Sequence, residues 1–234
     1  MAEASRRSGN AVIWTIIGLN TAVFGAWTYA INGQHRDLVD KLQQNFTVSL
    51  QNWRQGRVWT VITSAFSHQG LQHFAFNMFS FYTLAGILAW VPGIGALNIL
   101  ALSLGSALLG SGAFLLQKKQ QSDIQTHQRS SFPTPLATYQ AGLGASGIVM
   151  GVGTAAACLL PFFPINIMFI PIGVPLWATM LLYVGVDTYF LRSTTSGIGH
   201  SAHLGGAVFG AVYYFAYLRR FGGVWSMIKR PPRY

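Results

Sequence analysis

Three short stretches of the chain concentrate chemically able side chains in otherwise apolar surroundings. His68-Gln69-Gly70-Leu71-Gln72-His73-Phe74-Ala75-Phe76-Asn77 places His73 and Asn77 four residues apart, on one face of a helix. Gly142-Leu143-Gly144-Ala145-Ser146-Gly147 sets a serine on a turn whose glycines allow a tight path and close backbone approach. His200-Ser201-Ala202-His203-Leu204-Gly205-Gly206 opens the last apolar segment. A hydroxyl, a histidine to accept its proton and two side-chain donors supply the parts of acyl transfer: nucleophile, general base and oxyanion stabilisation. No acid is evident as a third member.

The elements that must position these groups follow from composition. Of 234 residues, 51% are hydrophobic, 14% aromatic and 9% charged, whereas about a quarter are charged in a soluble protein. An all-α integral membrane protein is expected. At about 20 apolar residues per span, the chain has room for roughly six helices, and hydropathy places them at 11–31, 70–91, 94–116, 145–163, 167–190 and 202–220. One membrane domain, 11–220, then lies between basic tails at 1–10 and 221–234. The first apolar stretch exceeds a signal-peptide core and lacks a small-x-small cleavage site, so it is expected to be a retained helix.

Residues 32–69, with Trp53, Trp59 and the apolar run from Val58 to Phe66, form a long first loop expected in the membrane interface. Two polar loops are expected at 117–142, with a turn at Phe132-Pro133-Thr134-Pro135, and at 192–199. The formal charge of +10 sits in short clusters flanking apolar stretches, with no basic recognition helix, which excludes a nucleic-acid partner. Cys158, the single cysteine, leaves no internal disulfide and reads as packing.

Loop parity joins the three clusters. His73 and Asn77 follow the first loop, Ser146 the third and His203 the fifth, so six spans put all of them at one membrane face.

These motifs together resemble the rhomboid intramembrane proteases, over about Trp59 to Tyr217. The resemblance rests on His-x-x-x-x-His-x-x-x-Asn at 68, 73 and 77, Gly-Ala-Ser-Gly at 144–147 and Ala-His-Leu-Gly-Gly at 202–206. The runs 143–147 and 201–207 look most like the mitochondrial, presenilin-associated branch, which implies the mitochondrial inner membrane. The resemblance implies a six-helix bundle and a Ser-His dyad without an aspartate. Ser146 is then the nucleophile and His203 the base, with His73, Asn77 and the Ser146 N–H as oxyanion hole. It also implies substrates that are single transmembrane helices, cut where they unwind. An intact helix hides its peptide carbonyls in hydrogen bonds, so unwinding must precede attack. Two positions depart from the pattern: Trp59-Thr60 replaces the usual Trp-Arg, with Arg54 and Arg57 as substitutes, and Met150 replaces a tyrosine beneath the catalytic histidine.

Each residue also has a plainer reading. Alone, Ser146 beside Gly147, Gly151 and Gly153 is a small residue at a helix contact. Gly206 and Gly210, four apart, are a packing signal that brings the last span against the helix of Ser146, and Gly144 shapes the turn. His200 lies nearer the loop and is expected to be solvated; His68 is expected to be structural or to organise water. Asp187 is expected to bond a neighbouring helix or interfacial water rather than to act in catalysis. No carboxylate or cysteine stands at metal-ligand spacing, so neither metal nor cofactor is expected. The alternative to proteolysis is a catalytically silent relative that binds transmembrane helices to retain or deliver them.

Overall fold

The computed structural model describes residues 2–128, 141–166, 172–193 and 196–229. In chain order the elements are α1 (Ala2–Asn32), the short α2 (Arg36–Phe46), α3 (Leu50–Arg54) and α4 (Thr60–Thr63), then α5 (Leu71–Ala89), α6 (Ala96–Gln128) and α7 (Ser146–Leu159). Strands β1 (Pro164–Asn166) and β2 (Gly173–Pro175) precede α8 (Leu176–Tyr189), α9 (His200–Ala216) and α10 (Val224–Lys229). Six of these helices, α1 and α5 to α9, fall on the six apolar segments. By length and composition, α1 and the Ala96–Ile124 part of α6 are long and apolar enough to cross a membrane among the described residues.

Helix α7 sits at the centre and packs against α5, α6, α8 and α9. The main apolar cluster joins Phe81 and Leu88 of α5, Ile99 and Leu102 of α6, Ile148 and Val152 of α7, Leu176 and Met180 of α8 and Tyr214 of α9. The outer surface is apolar too: Trp14, Phe79, Leu97, Leu116, Leu181 and Val212 are all exposed. So much exposed apolar surface is what a hydrocarbon solvent allows and water does not.

The tightest contact is between α7 and α9. A Cβ at Gly206 would strike the Gly147 carbonyl, and one at Gly210 the Gly151 carbonyl. Two small residues spaced by one turn on each helix thus bring the backbones into direct contact, the arrangement that lets helices associate where lipid offers no hydrophobic drive.

Four expectations change. The 1–10 tail is helical from Ala2; Glu3 and Arg7 pair at 2.6 Å across one turn, and Arg6 lies 4.4 Å from the centre of the Trp90 ring. The 117–142 loop is helical as far as Gln128, because its Lys and Gln residues are strong helix formers. The 221–234 tail includes α10, and the Tyr214 hydroxyl anchors it by bonding the Gly222 carbonyl (2.8 Å) and the Trp225 N–H (2.9 Å).

The fifth segment, predicted as one helix over 167–190, begins only at Leu176. Residues Pro164 to Asn166 pair antiparallel with Gly173 to Pro175, so the described chain is not purely helical. Pro161, Pro164 and Pro175 account for this, since each lacks an N–H and disfavours helix at the residue before it. Residues 167–171, the turn at 132–135 and Arg230 and Arg233 lie outside the described residues.

The first loop is a folded unit rather than a strand of connecting chain. Leu42 of α2 packs with Trp27 and Ala30 of α1, and the Trp27 indole donates to Ser67 Oγ at 2.6 Å. Asn52 donates to the Gln43 and Thr47 carbonyls. Arg57 bonds Asn52 and Gln44 within the same loop.

Candidate active site

The serine turn is held from the first loop. Gly142 and Val48 exchange backbone bonds of 2.8 and 2.9 Å, and the Gly144 N–H donates to the Ser64 carbonyl at 2.9 Å. The Ala145 N–H donates to His68 Nε2 at 3.2 Å. Gly144 is required twice over: its φ is +123°, and a Cβ there would lie 2.6 Å from His73 Cε1. Helix α7 starts at Ser146, so the N–H groups of its first turn have no partner within the helix.

His203 enters from α9. The Gly147 position abuts the Ala202 carbonyl, 3.3 Å from a Cβ built there, so the residue after Ser146 touches the residue before His203. No hydrogen bond joins Ser146 Oγ to His203 among the described residues. Such contacts are often long in a free enzyme and tighten with substrate. Ser146 and His203 are half-buried and His73 is exposed, so the cluster has an open side.

His73 and Asn77 come from α5, one turn apart. The His73 ring lies against Gly144. Asn77 is buried, and one amide N–H donates to the His73 carbonyl at 2.8 Å, leaving the other N–H for a further acceptor. Met150 is buried in the central apolar cluster.

His68 is fully buried and packs edge-on to the His73 ring, 4.9 Å between centres. Burial, and secondarily the neighbouring His73, push its pKa down to about 3, from an unfolded value near 6.5. The unfolded chain therefore binds more protons than the folded one between these values. Stability is complete above about pH 6.5 and declines as pH falls towards 3, by at most about 1.4 kcal/mol per unit. His68→Gln keeps an acceptor for the Ala145 N–H and cannot titrate. The drop in Tm in detergent between pH 7 and pH 4.5 should accordingly be smaller in His68→Gln than in the parent; equal drops would reject this role.

The largest departure from expectation is Asp187. It is 5% exposed, and its Oδ1 lies 2.6 Å from His200 Nδ1 and 3.0 Å from His203 Nδ1, with Oδ2 3.1 Å from His203 Nδ1. His200 is correspondingly not solvated: it is buried, and its Nε2 meets Ser196 Oγ at 2.8 Å. The absence of a nearby acid, expected from the chain order, does not hold in space.

Among the described residues, Asp187, His200 and His203 could also present three ligand atoms to a metal ion, a grouping that no metal-ligand spacing along the chain announces. Their spacing is that of hydrogen bonds. Ligand atoms about 2.0–2.2 Å from a tetrahedral ion lie roughly 3.3 Å apart, wider than the 2.6 and 3.0 Å contacts to Oδ1.

Sequence reasoning also missed Gln117, whose Oε1 accepts from Ser201 Oγ at 2.7 Å and whose amide bonds the Leu191 carbonyl, tying α6 to α9 behind the site. Nothing in the sequence around Gln117 marks it. Asp187 did carry a signal, being a lone acid inside an apolar segment.

A family model described as the Rhomboid domain matches residues 55–220. Among curated proteins, the chain is similar to "RHOMBOID-like protein 12, mitochondrial" of Arabidopsis thaliana, at 32% identity over 88% of this chain and 58% of the relative. It is similar to "Rhomboid protein 1, mitochondrial" of Saccharomyces cerevisiae at 27% identity, over 86% of this chain and 52% of the relative. It also resembles "Presenilin-associated rhomboid-like protein A, mitochondrial" of Danio rerio at 27%, over 89% of this chain and 48% of the relative. The chain spans about half the length of the curated relatives it matches.

Proposed function

The chain belongs to the rhomboid family, and from that premise we propose that it is an intramembrane serine endopeptidase acting on transmembrane helices of other membrane proteins. It is an integral membrane protein. Helices α1 and α5 to α9 form the six-helix bundle of the proposal, set in the mitochondrial inner membrane; the names of its relatives support the organelle.

The observation that carries the reading is the backbone contact of α7 with α9, which seats Ser146 and His203 on adjoining first turns, with the His73 ring against Gly144 of the serine turn and Asn77 one turn further along α5. Ser146 Oγ attacks the carbonyl carbon of the scissile peptide as His203 takes its proton. The carbonyl oxygen becomes an oxyanion, received by the Ser146 N–H, His73 and the free amide N–H of Asn77. His203 then returns the proton to the leaving amine as the C–N bond breaks. Water, entering on the exposed side of His73, hydrolyses the acyl-enzyme by the same base.

The test is incubation of the purified, detergent-solubilised chain with a single-helix substrate whose flanks carry separable tags. Multiple turnovers giving two fragments with one new N-terminus are expected. A chain that retains the intact helix through purification and never cuts it is instead the helix-binding relative.

A further inference from the structure

We infer that Asp187 is a positioning residue for His203, holding the imidazole through Nδ1 in the tautomer that leaves Nε2 free for the Ser146 proton. The inference rests on the protease reading and adds to its dyad a third member that the resemblance lacks.

An ionised carboxylate can only accept hydrogen bonds. His200 and His203 both direct Nδ1 at Asp187, at 2.6 Å and at 3.0 and 3.1 Å. Both nitrogens therefore carry hydrogen, and the proton-accepting lone pair of a neutral His203 is on Nε2. His200 obeys the same rule: with Nδ1–H given to Asp187, its Nε2 accepts from Ser196 Oγ at 2.8 Å, and Ser196 Oγ in turn accepts the Ile198 N–H at 3.2 Å. Donor and acceptor roles close without conflict along Ser196, His200, Asp187 and His203.

This placement explains a buried acid in an apolar helix, which is costly without partners. When Ser146 attacks, Nε2 gains a proton, Nδ1 keeps its own, and the new imidazolium faces a carboxylate already in place. The other titratable ring packed near His203, that of His200 on α9, carries no negative charge to do this. Asp187 acts through His203 and touches no substrate. His200 shares the carboxylate and keeps it oriented.

Asp187→Asn preserves shape but offers Nδ1 an amide that can stabilise the wrong tautomer. It should lower kcat about 10⁴-fold, the scale seen when the acid of a triad is neutralised, with KM changed by no more than about threefold. Asp187→Glu should recover part of the loss. Rates for Asp187→Asn within about threefold of the parent would overturn the inference.

A second measurement needs no variant at Asp187. Nitrogen-15 spectra of the parent chain labelled at its six histidines, with His203 assigned through His203→Gln, should show His203 neutral and protonated on Nδ1 at pH 8. Protonation on Nε2 would overturn the inference even if cleavage is intact. A parent chain that cuts nothing defeats the protease reading, whereas the tautomer reports on Asp187 alone.

Discussion

Ser146→Ala and His203→Ala should each slow cleavage of a transmembrane substrate by about 10⁵–10⁶-fold, the scale on which a serine protease loses its nucleophile or its base. The two effects should not add. Once the hydroxyl is gone the base has no proton to take, so the double variant should fall no further than either single one. Substrate affinity should be nearly unchanged, because neither side chain contributes much area to a docked helix.

His200→Ala supplies the comparison that assigns the base. His200 contacts Asp187 Oδ1 but leaves Oδ2 on His203, so its loss should cost no more than about tenfold, roughly 1.4 kcal/mol. A larger loss with His200→Ala than with His203→Ala would exchange their roles.

The second large effect is structural and lies one turn away. Gly206→Ala puts a methyl group into the Gly147 carbonyl, and Gly210→Ala does the same at Gly151. Neither obstacle is the end of a flexible side chain, so the helices themselves must part. Overpacking a close-packed contact costs about 1–3 kcal/mol, and catalysis is hurt more than stability. Ser146 precedes Gly147 directly and His203 lies one turn before Gly206, so the same displacement separates nucleophile from base; a misplacement of about 1 Å costs roughly 10² in rate.

Activity of Gly206→Ala should fall at least about 10²-fold, with a lowered Tm. Gly185→Ala on α8, where a Cβ meets nothing within 4 Å, should leave activity intact and gain up to about 1 kcal/mol. Equal behaviour of the two variants in rate and Tm would show that the α7 and α9 contact is not what positions the dyad.

Much of this site was legible because its parts obey simple periodicities. The turn at Ser146, the helix-face pairing of His73 with Asn77 and the four-residue spacing of Gly206 and Gly210 are local patterns, and parity alone grouped them at one end of the bundle. The same parity would have placed Asp187 there, since it lies two residues from the C-terminal end of α8, the end from which the chain returns into α9. What could not be read was the rotation of α8 that aims Asp187 at two histidines, which depends on packing against α7 and α9.

The ribbon before α8 was hidden differently. Apolar runs of 4–8 residues suit helix and strand alike, and Pro161 to Pro175 needed to be weighed above hydropathy. The anchoring of the serine turn by Ser64 and His68 was out of reach, because contacts across more than 70 residues leave no local trace.

The most direct test of the central claim is covalent. An active-site phosphonate probe, applied to the folded chain in detergent and followed by peptide mass spectrometry, should place a single adduct on Ser146 Oγ. Labelling should be lost in Ser146→Ala and strongly slowed in His203→Ala. An adduct on another serine, or equal labelling of parent and Ser146→Ala, would contradict the account.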